Sequence, residues 1–181
     1  DIGQHAYLRH AAARVVFADG TTFETESARD LIAKLREQNL LPIVRIEIWG
    51  HGNENGQSFT QNEKDLNALI SMTDGRIAVR DDQGVIFTEL GAELAGKLAK
   101  NASIYLRGCH VASGGPTSFT GVLAKAAKVD VYGCADYSTG TDEQPGLMCG
   151  LGAPAEMKCM QDGTCEATVG RPAARDASNE W

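Results

Sequence analysis

Two chemically reactive side chains, His51 and Cys109, each follow an apolar segment that ends in glycine. The segment IVRIEIW (43–49) runs into the tripeptide Gly-His-Gly, and ASIYLRG (102–108) ends directly before the cysteine. A thiol with the ordinary pKa of about 8.5 is only slightly ionised at neutral pH, so a cysteine nucleophile needs a base or a positive charge beside it. An imidazole supplies either one. The two motifs therefore predict a nucleophile, Cys109, and a general base, His51.

The glycines beside these residues fit the same chemistry. Glycine lets a substrate approach closely and lets main-chain N–H groups point into a site. The N–H groups of Gly52 and Cys109 are the predicted oxyanion hole, in which one donor is typically worth roughly 3 to 4 kcal/mol. His110 is a rival base. Consecutive side chains on an extended segment diverge, so its imidazole is expected to point away from Cys109.

Both residues also have an ordinary interpretation. A histidine after a strand is commonly a polar turn residue, and a lone cysteine commonly serves packing. The catalytic interpretation is favoured because the two residues occur together, in this order, at the ends of two segments of the same type.

Strands and helices are predicted to alternate along most of the chain. The predicted strands cover residues 13–19, 43–49, 102–108 and 129–133, with a β-hairpin over 76–89. Helices are predicted from Ser27 to about Asn39, through the leucines at 90, 94 and 98, and after Pro116. This alternation predicts an α/β fold, a three-layer α/β/α sandwich with a mainly parallel sheet, plus β-hairpins. Functional residues gather at the carboxyl ends of such strands, where the histidine and the cysteine are expected.

The chain of 181 residues is expected to form one domain over residues 1–170. Its core is predicted over about 13–142, followed by a cysteine-rich extension over 143–170 and a tail or linker over 171–181. Because the sequence starts at Asp1 and not at Met, the chain is expected to be a mature product or an excised piece of a longer protein.

Five cysteines, an odd number, leave at least one thiol outside intramolecular disulfides. If Cys109 is catalytic, the other four can form two bridges, and an Asp-Gly turn signal lies between Cys159 and Cys165. Bridges would favour a secreted or extracytoplasmic location over the cytoplasm. The alternative is that all four are small buried residues in a reducing compartment. The sequence has no Cys-x-x-Cys pair, so no zinc site is predicted.

Composition argues against two classes of partner. The formal net charge is -7 and no run of Lys or Arg stands out, so no nucleic-acid partner is predicted. No apolar segment approaches the roughly 20 residues of a membrane span, so no span is predicted either.

The motifs IEIWGHG and IYLRGCHVASGG, followed by VDVYGCADYSTG, resemble those of the caspase-like cysteine peptidases. This clan includes caspases, metacaspases, gingipains, clostripain and the self-processing domains of bacterial toxins. The resemblance covers roughly residues 13 to 142 and is closest to the bacterial extracellular and toxin-type domains. It implies a cysteine endopeptidase with a catalytic dyad of His51 and Cys109 and without a cofactor. It also implies a polypeptide substrate, which for an autoprocessing domain of a secreted effector or toxin is its own parent chain.

In caspases and metacaspases the residue two positions before the nucleophile lines the pocket for the side chain before the scissile bond. That residue is Arg107 here, and a guanidinium would favour an acidic or at least non-basic residue through a charge-assisted pair. The alternative is that Arg107 faces away from the pocket and pairs with a carboxylate. Asp136 is the candidate for the opposite wall of the pocket, where it would weaken the acidic preference.

Related toxin domains are activated by inositol hexakisphosphate on a basic patch. This chain has 17 Lys and Arg against 24 Asp and Glu, so that activator is not carried over. Several members of the clan require calcium, and Asp81 and Asp82 are the candidate ligands here. The alternative is that both carboxylates are simply solvated. The main rival function is that of a non-catalytic caspase-like module that serves as a scaffold.

Overall fold

The computed structural model describes residues 13–58, 69–80, 86–135, 138–139, 148–149 and 156–168, and these residues are mostly β. The strands are β1 (Ala13–Phe17), β2 (Thr22–Thr25), β3 (Ile43–Ile48), β4 (Gly52–Asn53), β5 (Gly56–Ser58), β6 (Leu69–Thr73), β7 (Arg76–Arg80), β8 (Ile86–Glu89), β9 (Leu98–Leu106), β10 (Asp130–Cys134), β11 (Ser138–Thr139), β12 (Met148–Cys149), β13 (Glu156–Cys159) and β14 (Cys165–Ala167). The helices are α1 (Ala28–Leu35), α2 (Leu90–Leu94) and α3 (Phe119–Ala127), with a short 3₁₀ turn over Gly115–Thr117.

Seven strands form the main sheet, in the order β14-β13-β10-β9-β3-β1-β2. Within it only the β3–β9 and β9–β10 pairs are parallel, and the pairs on both sides of this centre are antiparallel. The Asp-Gly turn signal between Cys159 and Cys165 lies in the hairpin of β13 and β14, with Gly163 at a positive φ of 87°.

A second sheet of five antiparallel strands, in the order β4-β5-β6-β7-β8, lies between β3 and α2 along the chain. It includes the predicted hairpin over 76–89, which is confirmed as β7 paired with β8. Asp74 and Gly75, both at positive φ, connect β6 to β7 in the conformation that two-residue hairpin loops require. The strands β4, β5 and β6 were not predicted.

One hydrophobic core joins the helices to one face of the main sheet. It contains residues of α1, α2 and α3 together with alternate residues of the central strands, among them Val15, Ile46, Ile48, Ile104 and Leu106. The predicted start of α1 is confirmed, since Ser27 Oγ accepts a hydrogen bond from Asp30 N–H at 3.2 Å.

The predicted three-layer sandwich with a mainly parallel sheet is wrong. The described helices pack on the apolar face alone, while the opposite face of β3 and β9 carries Arg45, Glu47, Tyr105 and Arg107. A parallel sheet covered by helices on both faces needs strands that are apolar on both faces. In β3 and β9 charged and aromatic residues alternate with aliphatic ones, so only one face is available to a helix layer.

Two disulfides connect Cys134 to Cys149 and Cys159 to Cys165, and Cys109 is in no disulfide. Of the two alternatives left open for the other four cysteines, the structure has the two bridges. The bridges weakly favour an extracytoplasmic environment. Within the described ranges no helix has the length and apolar character needed to cross a membrane.

Candidate active site

His51 and Cys109 leave the main sheet at the same edge. The strands β3 and β9 are parallel neighbours in which Ile48 pairs with Leu106, and each reactive residue lies three positions beyond its strand's member of that pair. The backbone N–H of Arg107 donates to the Ile48 carbonyl at 2.8 Å and extends the pairing by one step. The two turns that carry the reactive residues therefore begin side by side.

The two turns touch through glycine. A β-carbon added to Gly108 would lie 2.9 Å from Gly52 Cα, and one added to Gly52 would lie 2.9 Å from Gly108 Cα and 2.8 Å from the Cys109 carbonyl oxygen. Neither position has room for a side chain. The glycines next to His51 and Cys109 are thus required by the close approach of two backbone segments.

Strand β5 is hydrogen-bonded to the turn that carries His51. Gln57 Nε2 donates to the Ile48 carbonyl at 2.7 Å, and Ser58 N–H donates to the His51 carbonyl at 2.7 Å. A β-carbon on Gly50 would lie 2.0 Å from the Ser58 carbonyl oxygen, so this turn also packs tightly on β5. His51 is partly buried, and its Nε2 atom is buried without a hydrogen-bond partner in the described part of the chain.

The cysteine turn is a tight turn. His110 has a left-handed conformation with φ of 56°, and its carbonyl accepts a hydrogen bond from Ser113 N–H at 3.0 Å. The expectation that Cys109 and His110 lie on an extended segment, with diverging side chains, is therefore wrong. Cys109 itself is partly exposed.

Val111 fixes the cysteine turn to the core. It is fully buried, and its carbonyl accepts hydrogen bonds from the hydroxyl of Thr120 at 2.8 Å and from that residue's N–H at 3.1 Å. The next residue, Ala112, donates its N–H to the carbonyl of the disulfide-bonded Cys134 at 2.9 Å. The turn is therefore tied both to α3 and to the end of β10.

A further hydrogen bond joins α3 to the hairpin of β4 and β5, which follows His51. In this bond Phe119 N–H donates to the Glu54 carbonyl at 3.0 Å. Glu54 lies in the turn between β4 and β5, just after His51. Sequence reasoning missed this hairpin. The turn residues are Glu54 and Asn55, and the dipeptide Asn55-Gly56 that overlaps them is a turn signal in the sequence.

Arg107 is 4% exposed and lies among charged residues of the sheet's polar face. Its guanidinium is 3.8 Å from Glu47, 3.7 Å from Glu156, and 4.8 Å above the ring centre of Tyr105. Burial raises the pKa of Glu156, and the positive charge of Arg107 opposes that rise. The guanidinium thus has carboxylate partners inside the protein, and its contact with a substrate side chain stays a prediction.

The remaining predicted sites can be placed only in part. Asp136, the predicted second pocket residue, and Asp81 and Asp82, the alternative calcium ligands, lie outside the described residues. Among the residues that are described, no three His, Cys, Asp or Glu side chains form a cluster that could hold a metal ion.

Comparison with protein-family models, with curated proteins and with solved structures finds no match for this chain. The features of this chain that bear on its function are the motifs around His51 and Cys109 and the contacts between the turns that carry them.

Proposed function

We propose that this chain is a cysteine endopeptidase of the caspase-like kind, with Cys109 as nucleophile and His51 as general base. The observation that carries the proposal is the direct packing of Gly52 against Gly108 at the ends of two parallel neighbouring strands. This contact brings together the two turns whose residue types supply a nucleophile and a base.

The reaction follows from these residue types. His51 accepts the thiol proton, and the Cys109 thiolate attacks the carbonyl carbon of the scissile peptide bond. The N–H groups of Gly52 and Cys109 stabilise the oxyanion that forms. As the C–N bond breaks, the imidazolium returns its proton to the leaving amine and a thioester remains. Water, deprotonated by His51, then hydrolyses the thioester and restores the thiol.

The buried, unpartnered Nε2 of His51 supports this role. A buried polar nitrogen without a partner costs free energy, and such groups are rare unless they serve a function. The pairing of the cysteines also supports the proposal, since Cys109 is the one cysteine in no disulfide while the other four form two bridges.

The proposed substrate is a polypeptide, including the chain's own parent protein, and the proposed location is secreted. Two disulfides support an oxidising compartment. A preference for an acidic or non-basic residue before the scissile bond is proposed from the motif position of Arg107, although Glu47 and Glu156 already neighbour its charge. Peptides with Asp, Leu or Arg at that position test it, and a clear Arg preference would contradict it.

Alkylation of Cys109 tests the dyad without a known substrate, because every other cysteine is in a disulfide. Iodoacetamide should label wild-type protein at one site, and His51→Ala should slow that reaction at neutral pH by about tenfold or more. His110→Ala is the matched control and should react like wild type. The reverse result, slow labelling of His110→Ala alone, would identify His110 as the base.

Peptide cleavage tests the activity itself. Wild-type protein, but not Cys109→Ala, should cut a peptide library or the parent chain. If the two proteins behave alike, the domain is a non-catalytic interaction or scaffold module.

A further inference from the structure

We propose that Gln57 is a positioning residue that holds the His51 turn against the Cys109 turn. The inference rests on the proposed function, because it concerns the geometry of that dyad. Gln57 is a polar side chain that is 1% exposed, in a strand of only three residues, and sequence reasoning gave it no role.

The side-chain amide of Gln57 is bonded to the histidine turn. Its Nε2 donates to the Ile48 carbonyl at 2.7 Å, and that same oxygen accepts the backbone N–H of Arg107 at 2.8 Å. The Ile48 carbonyl is thus the point where the last residues of β3 and β9 and the side chain of Gln57 meet. Loss of the Gln57 side-chain bond removes one of the contacts between β5 and this end of β3, while the Arg107 N–H still donates to the same carbonyl.

The same amide packs on the cysteine turn. A β-carbon added to Gly108 would lie 3.1 Å from Gln57 Cδ, so the amide carbon lies directly against the residue before Cys109. One side chain therefore contacts both turns, by a hydrogen bond on the histidine side and by packing on the cysteine side.

The orientation of the amide leaves an acceptor beside the cysteine turn. Because the Ile48 carbonyl can only accept, the bonded atom is the amide nitrogen, and Oε1 is the other atom. Oε1 is buried and has no hydrogen-bond partner in the described part of the chain. It shares the carbon that lies against Gly108, so a buried acceptor sits at the base of the Cys109 turn.

Three buried polar atoms without partners belong to this short region: His51 Nε2, Gln57 Oε1 and Ser58 Oγ. A core selected only for stability would fill these positions with apolar side chains, since each unpartnered atom destabilises the fold. That all three atoms lie in and next to the His51 turn indicates a role in positioning His51 and Cys109.

The test compares Gln57→Met, which keeps the length of the side chain but removes both polar atoms, with Gln161→Met, the same change at an exposed glutamine. Gln57→Met should slow the alkylation of Cys109 by iodoacetamide at neutral pH about tenfold, with a lower kcat and a similar KM on peptide. Gln57→Glu, a second variant, puts a carboxylate beside the cysteine turn and should shift the pH profile of alkylation to higher pH. Gln161→Met should match wild type in every readout.

The outcomes separate this inference from the proposed function. If His51→Ala slows alkylation while folded Gln57→Met and Gln57→Glu keep the wild-type rate and pH profile, Gln57 is only structural and the inference fails. If His51→Ala leaves alkylation unchanged, the dyad itself is refuted and this role of Gln57 with it. Circular dichroism shows which variants are folded, and the Glu variant keeps the question decidable if the Met variant does not fold.

Discussion

Gly52 and Gly108 each lack the β-carbon that would otherwise fill the space between the two reactive turns. Neither has a positive φ in the range that favours glycine, so these two glycines are needed for space and not for backbone freedom. The distance between the His51 and Cys109 turns is therefore set by the absence of side chains at two positions.

We expect Gly108→Ala to push the turns apart, because the new methyl group would lie 2.9 Å from Gly52 Cα and 3.1 Å from Gln57 Cδ. Overpacking of this kind costs about 1–3 kcal/mol. Urea unfolding should show the loss of stability, and alkylation of Cys109 should slow. Gly96→Ala is the control, since Gly96 has a φ of 74° and open space around it, so the substitution should cost stability without changing the thiol. Unchanged alkylation in Gly108→Ala would contradict the steric argument.

His110 has a left-handed backbone, which costs an L-residue about 1–2 kcal/mol relative to glycine. Ala and Gly at position 110 both remove the imidazole, but only Gly removes the β-carbon. Glycine's greater freedom in the unfolded chain offsets part of the gain, by about 0.5–1 kcal/mol. We therefore expect His110→Gly to be as stable as His110→Ala or more stable, as measured by urea unfolding. A clearly less stable Gly variant would be incompatible with the left-handed turn.

The candidate catalytic residues stand out in the sequence, but the residues that hold their turns in place do not. His51 and Cys109 stand out because reactive residue types follow strand-like segments directly. Gln57 and Val111 act through contacts with residues distant in the chain, and no local pattern distinguishes them from ordinary strand or turn residues. Such roles become visible only when the backbone segments that meet are known.

At the level of elements, α3 begins where both reactive turns are anchored. Ser118 Oγ accepts a hydrogen bond from Gly121 N–H at 3.3 Å and donates to the Gly115 carbonyl at 2.6 Å. The following N–H, of Phe119, holds the hairpin after His51, and Thr120 holds the Val111 carbonyl. The first turn of this helix is therefore coupled to both sides of the site.

We expect Ser118→Ala to reduce stability by about 1 kcal/mol through loss of the N-cap, and to slow the alkylation of Cys109 as well. Ser27→Ala is the control, because the Ser27 side chain accepts the N-cap hydrogen bond of α1 as Ser118 does for α3. Thermal unfolding should show a similar loss for both variants, and only Ser118→Ala should affect the thiol. An equal effect of the two variants on the thiol would show that general stability, and not the anchoring by α3, controls the site.

The ends of helices and strands agree with the prediction where local sequence signals are strong. They differ where pairing with a distant strand decides the conformation. The leucines at 90, 94 and 98 predicted one helix, yet α2 ends at Leu94 and Leu98 begins β9. Gly96, at a φ of 74°, lies between the two elements, and glycine in this conformation commonly ends a helix. The helix from Ser27 likewise ends at Leu35, earlier than the predicted Asn39.

For the whole molecule, the charges on one face of the sheet decide the architecture. Alternation of Arg45 and Glu47 with Ile46 and Ile48 gives β3 one apolar face, and the helices that the structure describes pack on that face. The sequence contained this signal. The α/β prediction used the order of strands and helices and left aside the two-residue period within the strands, which is the property that separates sheets covered on one face from sheets covered on both.

The dependence of stability on pH should carry two opposite contributions. Arg36 Nε donates to the Glu93 carboxylate at 3.0 and 3.2 Å, and the Thr88 hydroxyl donates to it at 2.6 Å. The Arg36 bond above all lowers the pKa of Glu93 below its ordinary value of 4.5. A carboxylate with a lowered pKa stabilises the fold at pH values above 4.5. Glu93 therefore loses its contribution to stability as the pH falls through its folded-state pKa. Glu93→Gln should therefore be less stable than wild type at pH 7, and urea unfolding should show the difference shrinking below pH 4.5.

Glu156 should show the reverse trend, because burial raises its pKa above the ordinary 4.5 even though Arg107 opposes the rise. A raised pKa means that the folded state favours the protonated acid. Glu156 therefore makes its full contribution to stability below pH 4.5, and this contribution is lost as the pH rises through the pKa of Glu156 in the folded protein. Relative to wild type, Glu156→Gln should therefore gain in stability as the pH increases from 4 to 7, in the same urea experiment. A difference that moves the other way would mean that the Arg107 pair, and not burial, dominates at this end of the sheet.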